Sequence, residues 1–256
     1  MEVMPIVESL FRWIHVVAGV LWIGLLYFFN WVNANVMPKL DAETKKKVVP
    51  ELMPRALYWF RWGAAFTWIT GIFLLLYLFY YSKLALADPD AGLGIRAGLM
   101  LILVLVAPFI YDPLAKGPLK DPQTAFGAGV VLATVLLFVF ELVGGFGYRG
   151  YSIHLGATFG TIMAYNVWFR IWPAQQEIIT ATKNGTPPNP DLVATAGLRS
   201  KHNTYMSVPL LFMMVAQHAT WASGSLMGPI TLGVIVLVGW ALAYHIYDRA
   251  SKVQGF

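Results

Sequence analysis

The feature that most constrains this chain is a series of long apolar runs, separated by clusters rich in proline and glycine. A membrane-spanning helix needs about 20 mostly apolar residues, and the sequence predicts seven such spans. They are 7–33, 57–81, 95–112, 124–146, 152–172, 204–223 and 227–247. The sequence therefore predicts an all-α integral membrane protein, with residues 1–256 forming a single membrane domain that is a bundle of seven transmembrane helices.

The composition agrees with this class and excludes several others. The chain is 58% hydrophobic and 12% charged, whereas soluble domains carry about 25% charged residues. It contains no cysteine, which excludes disulfides, iron–sulfur clusters, thiolate zinc sites and covalently attached c-type haem. Glu2 and Glu8 lie where a signal peptide would be basic, so we expect the first apolar run to be a retained span.

The basic residues predict the direction of the chain. If the seven spans alternate, the side that holds the N-terminus carries only Arg12, Lys83, Arg96 and Arg149, and the other 14 of the 18 basic residues lie opposite. The positive-inside rule then places the N-terminus outside and the C-terminus in the cytoplasm. Because topology explains the net charge of +5, we expect the lipid bilayer as a partner and no nucleic acid.

Two amphipathic stretches between the spans predict short interfacial helices. They are 40–57, which includes three consecutive lysines, and 190–203. In the second, Pro190 suits a first helical position and Asn189 suits the cap that precedes it.

Three of the five histidines fall at one predicted depth. Given a rise of about 1.5 Å per residue, His15, His154 and His218 all lie near the outer ends of their spans. Imidazole at this level can bind haem iron. We predict His15 and His218 as axial ligands of a b-type haem, with His154 as a substitute. The simpler alternative for each histidine, above all for His154, is a hydrogen bond to water or to a neighbouring helix.

Glu141 lies near the outer end of the fourth predicted span. A carboxylate in hydrocarbon is costly unless it is protonated or paired. Two interpretations are open: a catalytic role in proton transfer, or an ion pair with Arg149.

Four stretches carry a resemblance to a known family: HVVAGVLWIGLLYFFNWVN, RALYWFRWGAAFTWITG, NVWFRIWPAQQ and RSKHNTYMSVPLLFMMVAQH. In their order and spacing they are similar to the membrane domain of the bacterial membrane-bound urate hydroxylases, from near residue 8 to near residue 250. The resemblance implies an oxidoreductase of the bacterial inner membrane that oxidises urate or a similar small planar substrate. It also implies electron transport through haem to an external c-type cytochrome.

If the substrate enters from the cytoplasm, its contacts are polar residues on the predicted cytoplasmic side. Arg61, Arg170, His202 and Asn203 form the predicted substrate-binding set, because guanidinium suits planar anions. About 30 Å of hydrocarbon separates the two faces, so this set and the predicted haem site are not one active site.

This sequence departs from the family's full-length pattern at its end. Those members continue into an eighth span and a C-terminal c-type cytochrome, whereas this sequence stops at Phe256 without a cysteine. We therefore expect a separate external cytochrome as the electron acceptor. The alternative is a non-catalytic accessory or structural subunit of a larger respiratory or monooxygenase membrane complex.

Overall fold

The computed structural model describes residues 3–219, 221 and 227–255, and of His218 it describes the backbone alone. This described part of the chain is helical and forms no β-strand, with one isolated bridge between Leu86 and Phe146. The predicted all-α class is confirmed.

The described residues form nine α-helices in chain order. They are α1 (Val3–Tyr27), α2 (Ala34–Val36), α3 (Ala42–Leu74), α4 (Ile95–Lys116), α5 (Pro122–Phe138), α6 (Tyr148–Asn166), α7 (Trp172–Asn184), α8 (Pro190–Val215) and α9 (Met227–Lys252). Helices α1, α3, α5 and α6 are each followed directly by a π-helical turn, in which the backbone hydrogen bonds join residues five apart. In chain order these turns are Phe28–Asn33, Leu75–Tyr81, Val139–Val143 and Val167–Ile171.

Five helical runs of the described residues are long and apolar enough to cross a membrane. They are Val3–Lys39, Ala42–Tyr81, Ile95–Lys116, Pro122–Val143 and Met227–Lys252. The chain is therefore a multi-pass membrane protein in contact with lipid. The predicted spans 152–172 and 204–223 fall on α6 with its π-helical turn and on α8. Buried polar residues lower the hydropathy of these two helices, and the count of seven spans stays a prediction.

The prediction of separate interfacial helices is wrong, and the first example is 40–57. Helix α3 and the π-helical turn after it form one run of 40 residues, Ala42–Tyr81, without a break at residue 57. Pro50 and Pro54 lie inside this helix. Each proline removes one backbone hydrogen bond, and the turns on either side continue the helix through them.

The second predicted interfacial helix, 190–203, is the first half of α8. The helix begins at Pro190, and Oδ1 of Asn189 accepts a hydrogen bond of 2.9 Å from the backbone N–H of Asp191, so the predicted helix start is confirmed. Its sequence contains no breaker near residue 203. Arg199 and Asn203, one turn apart, are 1% and 0% exposed, which shows that this part of α8 is packed in protein.

The chain divides into two compact units. The first comprises Met1–Thr70, Met163–Tyr205 and Ala243–Phe256, and the second comprises Gly71–Ile162 and Met206–Leu242. Helices α3, α6, α8 and α9 each contribute residues to both units.

In the first unit, α1 and α3 pack closely at Gly63. A Cβ atom at this position would lie 3.2 Å from the carbonyl oxygen of Ala18 and 3.2 Å from the backbone nitrogen of Trp22. Phe29 and Phe60 pack edge to face nearby along the same pair of segments, with ring centroids 5.3 Å apart. The small residue thus lets the two helices approach closely.

The second unit has an apolar core built from four helical runs. Each of these runs contributes side chains that are fully buried: Leu137, Phe140, Leu155, Met213, Leu232 and Val236. The turn before α5 is held by Asp121, whose carboxylate accepts a hydrogen bond of 2.7 Å from the Thr124 N–H. This bond lowers the pKa of the Asp121 carboxyl, so the cap is present at neutral pH and is lost as the pH falls through that lowered pKa.

Candidate functional site

His15 joins α1 to α3 through one ring nitrogen. Its Nδ1 lies 2.9 Å from the carbonyl oxygen of Thr67 and 3.1 Å from Oγ1 of Thr70. Because a carbonyl oxygen only accepts, Nδ1 carries the hydrogen and donates it to Thr67. The neutral ring then keeps a lone pair on Nε2, and the described residues place no hydrogen-bond partner on that atom. His15 is therefore oriented by one nitrogen and presents the other as a potential ligand.

His154, in the second unit, uses both ring nitrogens within the protein. It is 0% exposed. Nδ1 donates to the Gly150 carbonyl oxygen at 2.7 Å, so Nε2 accepts from the Tyr80 hydroxyl at 2.8 Å. The same hydroxyl lies 3.0 Å from the carbonyl oxygen of Ala97, and the Phe146 ring centroid lies 4.3 Å from that of the imidazole. The ring is enclosed, and both of its nitrogens have partners.

The side chain of His218 lies outside the described residues. Its backbone belongs to the short 3₁₀ helix Ala216–His218, in the second unit. The predicted pairing of His218 with His15 across one iron stays a prediction.

Glu141 lies in the third π-helical turn, and its Oε2 is enclosed without a hydrogen-bond donor among the described residues. The alternative, an ion pair with Arg149, is not formed among the described residues, and the Arg149 Nε donates to the Gln217 carbonyl oxygen at 3.2 Å. The Tyr148 hydroxyl, like Oε2 of Glu141, is enclosed and has no partner in the described part of the chain. The Glu141 side chain is partly buried, and its unpaired Oε2 can hold and exchange a proton.

Arg61, in the first unit, is surrounded by aromatic rings. Its Cζ lies 4.0 Å from the ring centroid of Trp172, 5.8 Å from that of Trp168 and 5.7 Å from that of Tyr58. The Trp168 Nε1 donates a hydrogen bond of 3.1 Å to the Arg61 carbonyl oxygen. The Arg61 Nε is enclosed and has no acceptor, and no carboxylate pairs with the guanidinium, among the residues that the structure describes. This arrangement leaves guanidinium donors available to an anion.

Two further predicted substrate residues are held on or against the helical run that carries Trp168. Arg170 donates from Nη2 to the Tyr165 hydroxyl at 3.2 Å. Asn203 donates from Nδ2 to the Met163 carbonyl oxygen at 3.0 Å, and its Oδ1 accepts from Nδ2 of Asn166 at 2.8 Å.

The fourth predicted residue, His202, is partly buried on α8. The run 163–172 is thus the common support of Arg61, Arg170 and Asn203.

The structure adds polar contacts that the sequence analysis did not select. Asn30 donates from Nδ2 to the Ser200 Oγ at 2.8 Å, and its Oδ1 accepts from the Tyr247 hydroxyl at 2.9 Å. Asn30 and Tyr80 both lie in π-helical turns, as do Glu141 and Arg170. Such turns are frequent at functional sites. The available signal was an isolated polar residue between apolar neighbours, such as Asn30 in LYFFNWV or Glu141 in VFELV.

The comparisons with known proteins agree with the resemblance found in the sequence. A family model described as "Urate oxidase N-terminal" matches residues 2–255. The chain belongs to the urate oxidase N-terminal family. No curated protein and no solved structure matches it.

In this member of the urate oxidase N-terminal family, the predicted haem ligands differ in how well they suit the group. A histidine that binds a metal usually donates its other ring N–H to a carbonyl or carboxylate, and His15 meets that condition through Thr67. His154 meets it too, through Gly150, but the Tyr80 hydroxyl occupies Nε2, the nitrogen that would bind the iron. Within the described residues, no three or more histidine, aspartate or glutamate side chains are grouped to hold a metal ion.

Proposed function

We propose that this chain is the membrane domain of a urate-oxidising oxidoreductase in the bacterial inner membrane. Membership of the urate oxidase N-terminal family over residues 2–255 supports the reaction class. The five apolar helical runs support the location. We further propose that the chain has seven spans, with the N-terminus outside and the C-terminus in the cytoplasm, as the distribution of basic residues favours.

The observation that carries the proposal is the aromatic surround of Arg61. A guanidinium 4.0 Å from the Trp172 ring, with an enclosed Nε that lacks an acceptor among the described residues, suits an anion with a flat ring. The N–H groups can donate two parallel hydrogen bonds to substrate oxygens, and indole faces stack on planar ligands. Arg170, His202 and Asn203 complete the proposed substrate-binding set.

A b-type haem, bound by His15 and His218, would supply one-electron transfer between the substrate and an external acceptor. The part of His15 is to present Nε2 while the Nδ1–H bond to Thr67 fixes the ring. The part of Glu141 is to take up or release a proton at Oε2. The acceptor is a separate c-type cytochrome or a larger membrane complex.

Urate turnover tests the substrate assignment. The purified protein would be mixed with urate and a soluble c-type cytochrome, and cytochrome reduction would be followed by its absorbance. Arg61→Gln removes charged hydrogen bonds, so we expect KM to rise about ten- to a hundredfold. Arg249→Gln, at an exposed arginine on α9, is the matched control and leaves KM unchanged. Equal KM values in the two variants would contradict the role of Arg61.

Absorption spectra of the oxidised and dithionite-reduced protein test the haem proposal. We expect a Soret band with b-type reduced peaks that disappears in His15→Ala and in His218→Ala. A colourless, folded wild-type protein would contradict it. If such a protein also lacked turnover and retained stoichiometric partners on purification, the chain would be an accessory subunit.

The absence of native cysteines allows a direct test of topology. Asp90→Cys lies in the turn before α4, and Lys120→Cys lies in the turn before α5. With seven spans and an external N-terminus, a membrane-impermeant maleimide labels the first variant in intact spheroplasts. It labels the second only after the membrane is opened. The reverse pattern would contradict the proposed orientation.

A further inference from the structure

An apolar groove lies between α1 and α3 in the first unit, with a cavity volume of about 600 Å³. Bulky side chains of both helices form its walls: Trp13, Val17, Leu21, Trp59, Trp62 and Phe66. Ala18 and Gly63 also line it, at the point where the two helices approach most closely. The groove is open on one side, so it can receive an elongated apolar ligand from the bilayer.

The groove leads into a polar mouth at the charged end of α3. Tyr58 and Trp59 line both the groove and the mouth, and Glu51 and Arg55 line the mouth. Lys47, Glu51, Arg55 and Trp59 are spaced four residues apart, so they lie along one face of the helix. A ligand in this groove therefore meets apolar walls at one end, aromatic rings in the middle and the charged side chains of Glu51 and Arg55 at the other end.

The length of this face matches one leaflet of a bilayer. Arg55 and Phe66 are separated by 11 residues, which at the helical rise corresponds to about 17 Å. Half of the hydrocarbon core is about 15 Å thick. An acyl chain whose headgroup lies at Arg55 would thus extend along the groove to Phe66.

The charges in and next to the mouth are positive on balance, which favours an anionic headgroup: four basic residues, Lys45, Lys46, Lys47 and Arg55, outnumber Asp41, Glu43 and Glu51. Three lysines, Lys45 to Lys47, lie in the first turns of α3, and such clusters attract anionic lipid. Arg55 pairs with Glu51 at 2.6 Å, but the two side chains are 72% and 73% exposed. An exposed pair of this kind contributes little to stability, so the guanidinium is available to a phosphate, which it can bind with two parallel hydrogen bonds.

We propose that this groove is a binding site for one anionic phospholipid of the bilayer, with an acyl chain between the tryptophan walls and the phosphate at Arg55. The proposal does not depend on the proposed urate oxidation, since it uses neither Arg61 nor the haem ligands.

Native mass spectrometry of delipidated protein in detergent tests the site. The protein would be titrated with phosphatidylglycerol and with phosphatidylcholine of the same acyl chains. We expect the first phosphatidylglycerol to bind about fivefold more tightly, as one basic contact predicts. Equal affinity for the two lipids would overturn the proposal.

Two pairs of variants locate the bound lipid. Val17→Trp fills the groove, whereas Val16→Trp changes a neighbour that is similarly exposed, 60% against 56%, and lies outside it. Arg55→Gln removes the headgroup contact, and Arg249→Gln removes an exposed arginine elsewhere. We expect Val17→Trp and Arg55→Gln to lose the preference for phosphatidylglycerol, and both controls to keep it.

Other outcomes of these measurements would exclude the site. Identical lipid binding by Val17→Trp and Val16→Trp would overturn it, as would displacement of the bound lipid by an equimolar neutral quinone. Phe66→Ala removes a groove wall without adding bulk, and it weakens the first lipid site even if Val17→Trp fails to fold. Unchanged binding in Phe66→Ala would contradict the proposed path of the acyl chain.

Discussion

The two described histidines at the predicted outer level, His15 and His154, have different environments in the two units. His15 is partly buried and has one nitrogen bound to α3, and Nε2 makes no hydrogen bond within the described residues. His154 is 0% exposed and donates or accepts through both nitrogens. The first arrangement orients a ligand, whereas the second completes a hydrogen-bonded core. The number of nitrogens already used separates these two cases, and depth in the membrane does not.

The largest effect that this comparison predicts is the loss of stability in His154→Ala. The substitution opens a cavity in a closed core and removes the hydrogen bonds that the imidazole makes with the Gly150 carbonyl oxygen and the Tyr80 hydroxyl. We expect it to lower the free energy of unfolding by about 3–5 kcal/mol, measured by denaturation in detergent micelles. His245→Ala, at an exposed histidine, is the control and changes it by less than about 0.5 kcal/mol. Equal effects of the two substitutions would mean that the His154 contacts contribute nothing.

Tyr80→Phe is expected to have the next largest effect. The hydroxyl lies 2.8 Å from Nε2 of His154 and 3.0 Å from the Ala97 carbonyl oxygen, and its removal leaves buried acceptors unpaired. We expect a loss of about 1–2 kcal/mol in the same unfolding measurement. Tyr81→Phe is a matched control, because the neighbouring Tyr81 is 79% exposed. If both variants have the same free energy of unfolding as the wild type, the hydroxyl of Tyr80 does not stabilise the core.

His15→Ala sharpens the comparison, because its two predicted effects differ in size. It removes one hydrogen bond at a partly buried site, so we expect a loss of about 1 kcal/mol in the free energy of unfolding. In the haem proposal the same substitution abolishes the b-type absorption spectrum. A loss of stability as large as that in His154→Ala, with an unchanged spectrum, would reverse the roles assigned to the two residues.

The smallest effect is expected at the hydroxyl beside His15. Thr70→Val removes Oγ1 at 3.1 Å from Nδ1 but keeps the shape of the side chain. We expect the free energy of unfolding to fall by about 0.5 kcal/mol. Thr67→Val is the control, because His15 is bound there by the backbone oxygen, which the substitution retains. If Thr67→Val lowered the free energy of unfolding more than Thr70→Val does, the hydrogen bond between the His15 Nδ1 and the Thr70 hydroxyl would contribute nothing to stability.

The fold class, the location in a membrane and the family could all be predicted from the sequence, because each depends on composition or on the order of motifs. The sequence was also sufficient for the start of α8, where Asn189 and Pro190 act through local geometry. The prediction of a helix break near residue 57 was wrong, since one helical run extends over Ala42–Tyr81. A change from charged to apolar residues marks where a helix meets lipid, and such a change does not end the helix.

The candidate site was predicted in part, for a physical reason that involves the π-helical turns. The rise along a helix gives depth, but contacts depend on the direction in which a side chain points. Each π-helical turn holds an extra residue and so changes that direction for every residue after it. A regular 3.6-residue period therefore could not indicate that Tyr80 contacts His154. The aromatic rings around Arg61 were not predicted, because Trp168 and Trp172 lie over a hundred residues away from it in the chain.

The absence of a side chain at Gly63 allows the short interaxial distance of α1 and α3, because a methyl group there would lie 3.2 Å from backbone atoms of α1, closer than ordinary van der Waals contact. Two separate properties depend on that spacing: the hydrogen bond from the His15 imidazole to Thr67, and the depth of the groove between α1 and α3. A single extra methyl group at this position would act as a wedge and alter both at once. The chain therefore cannot adjust the first property at this residue without also changing the second.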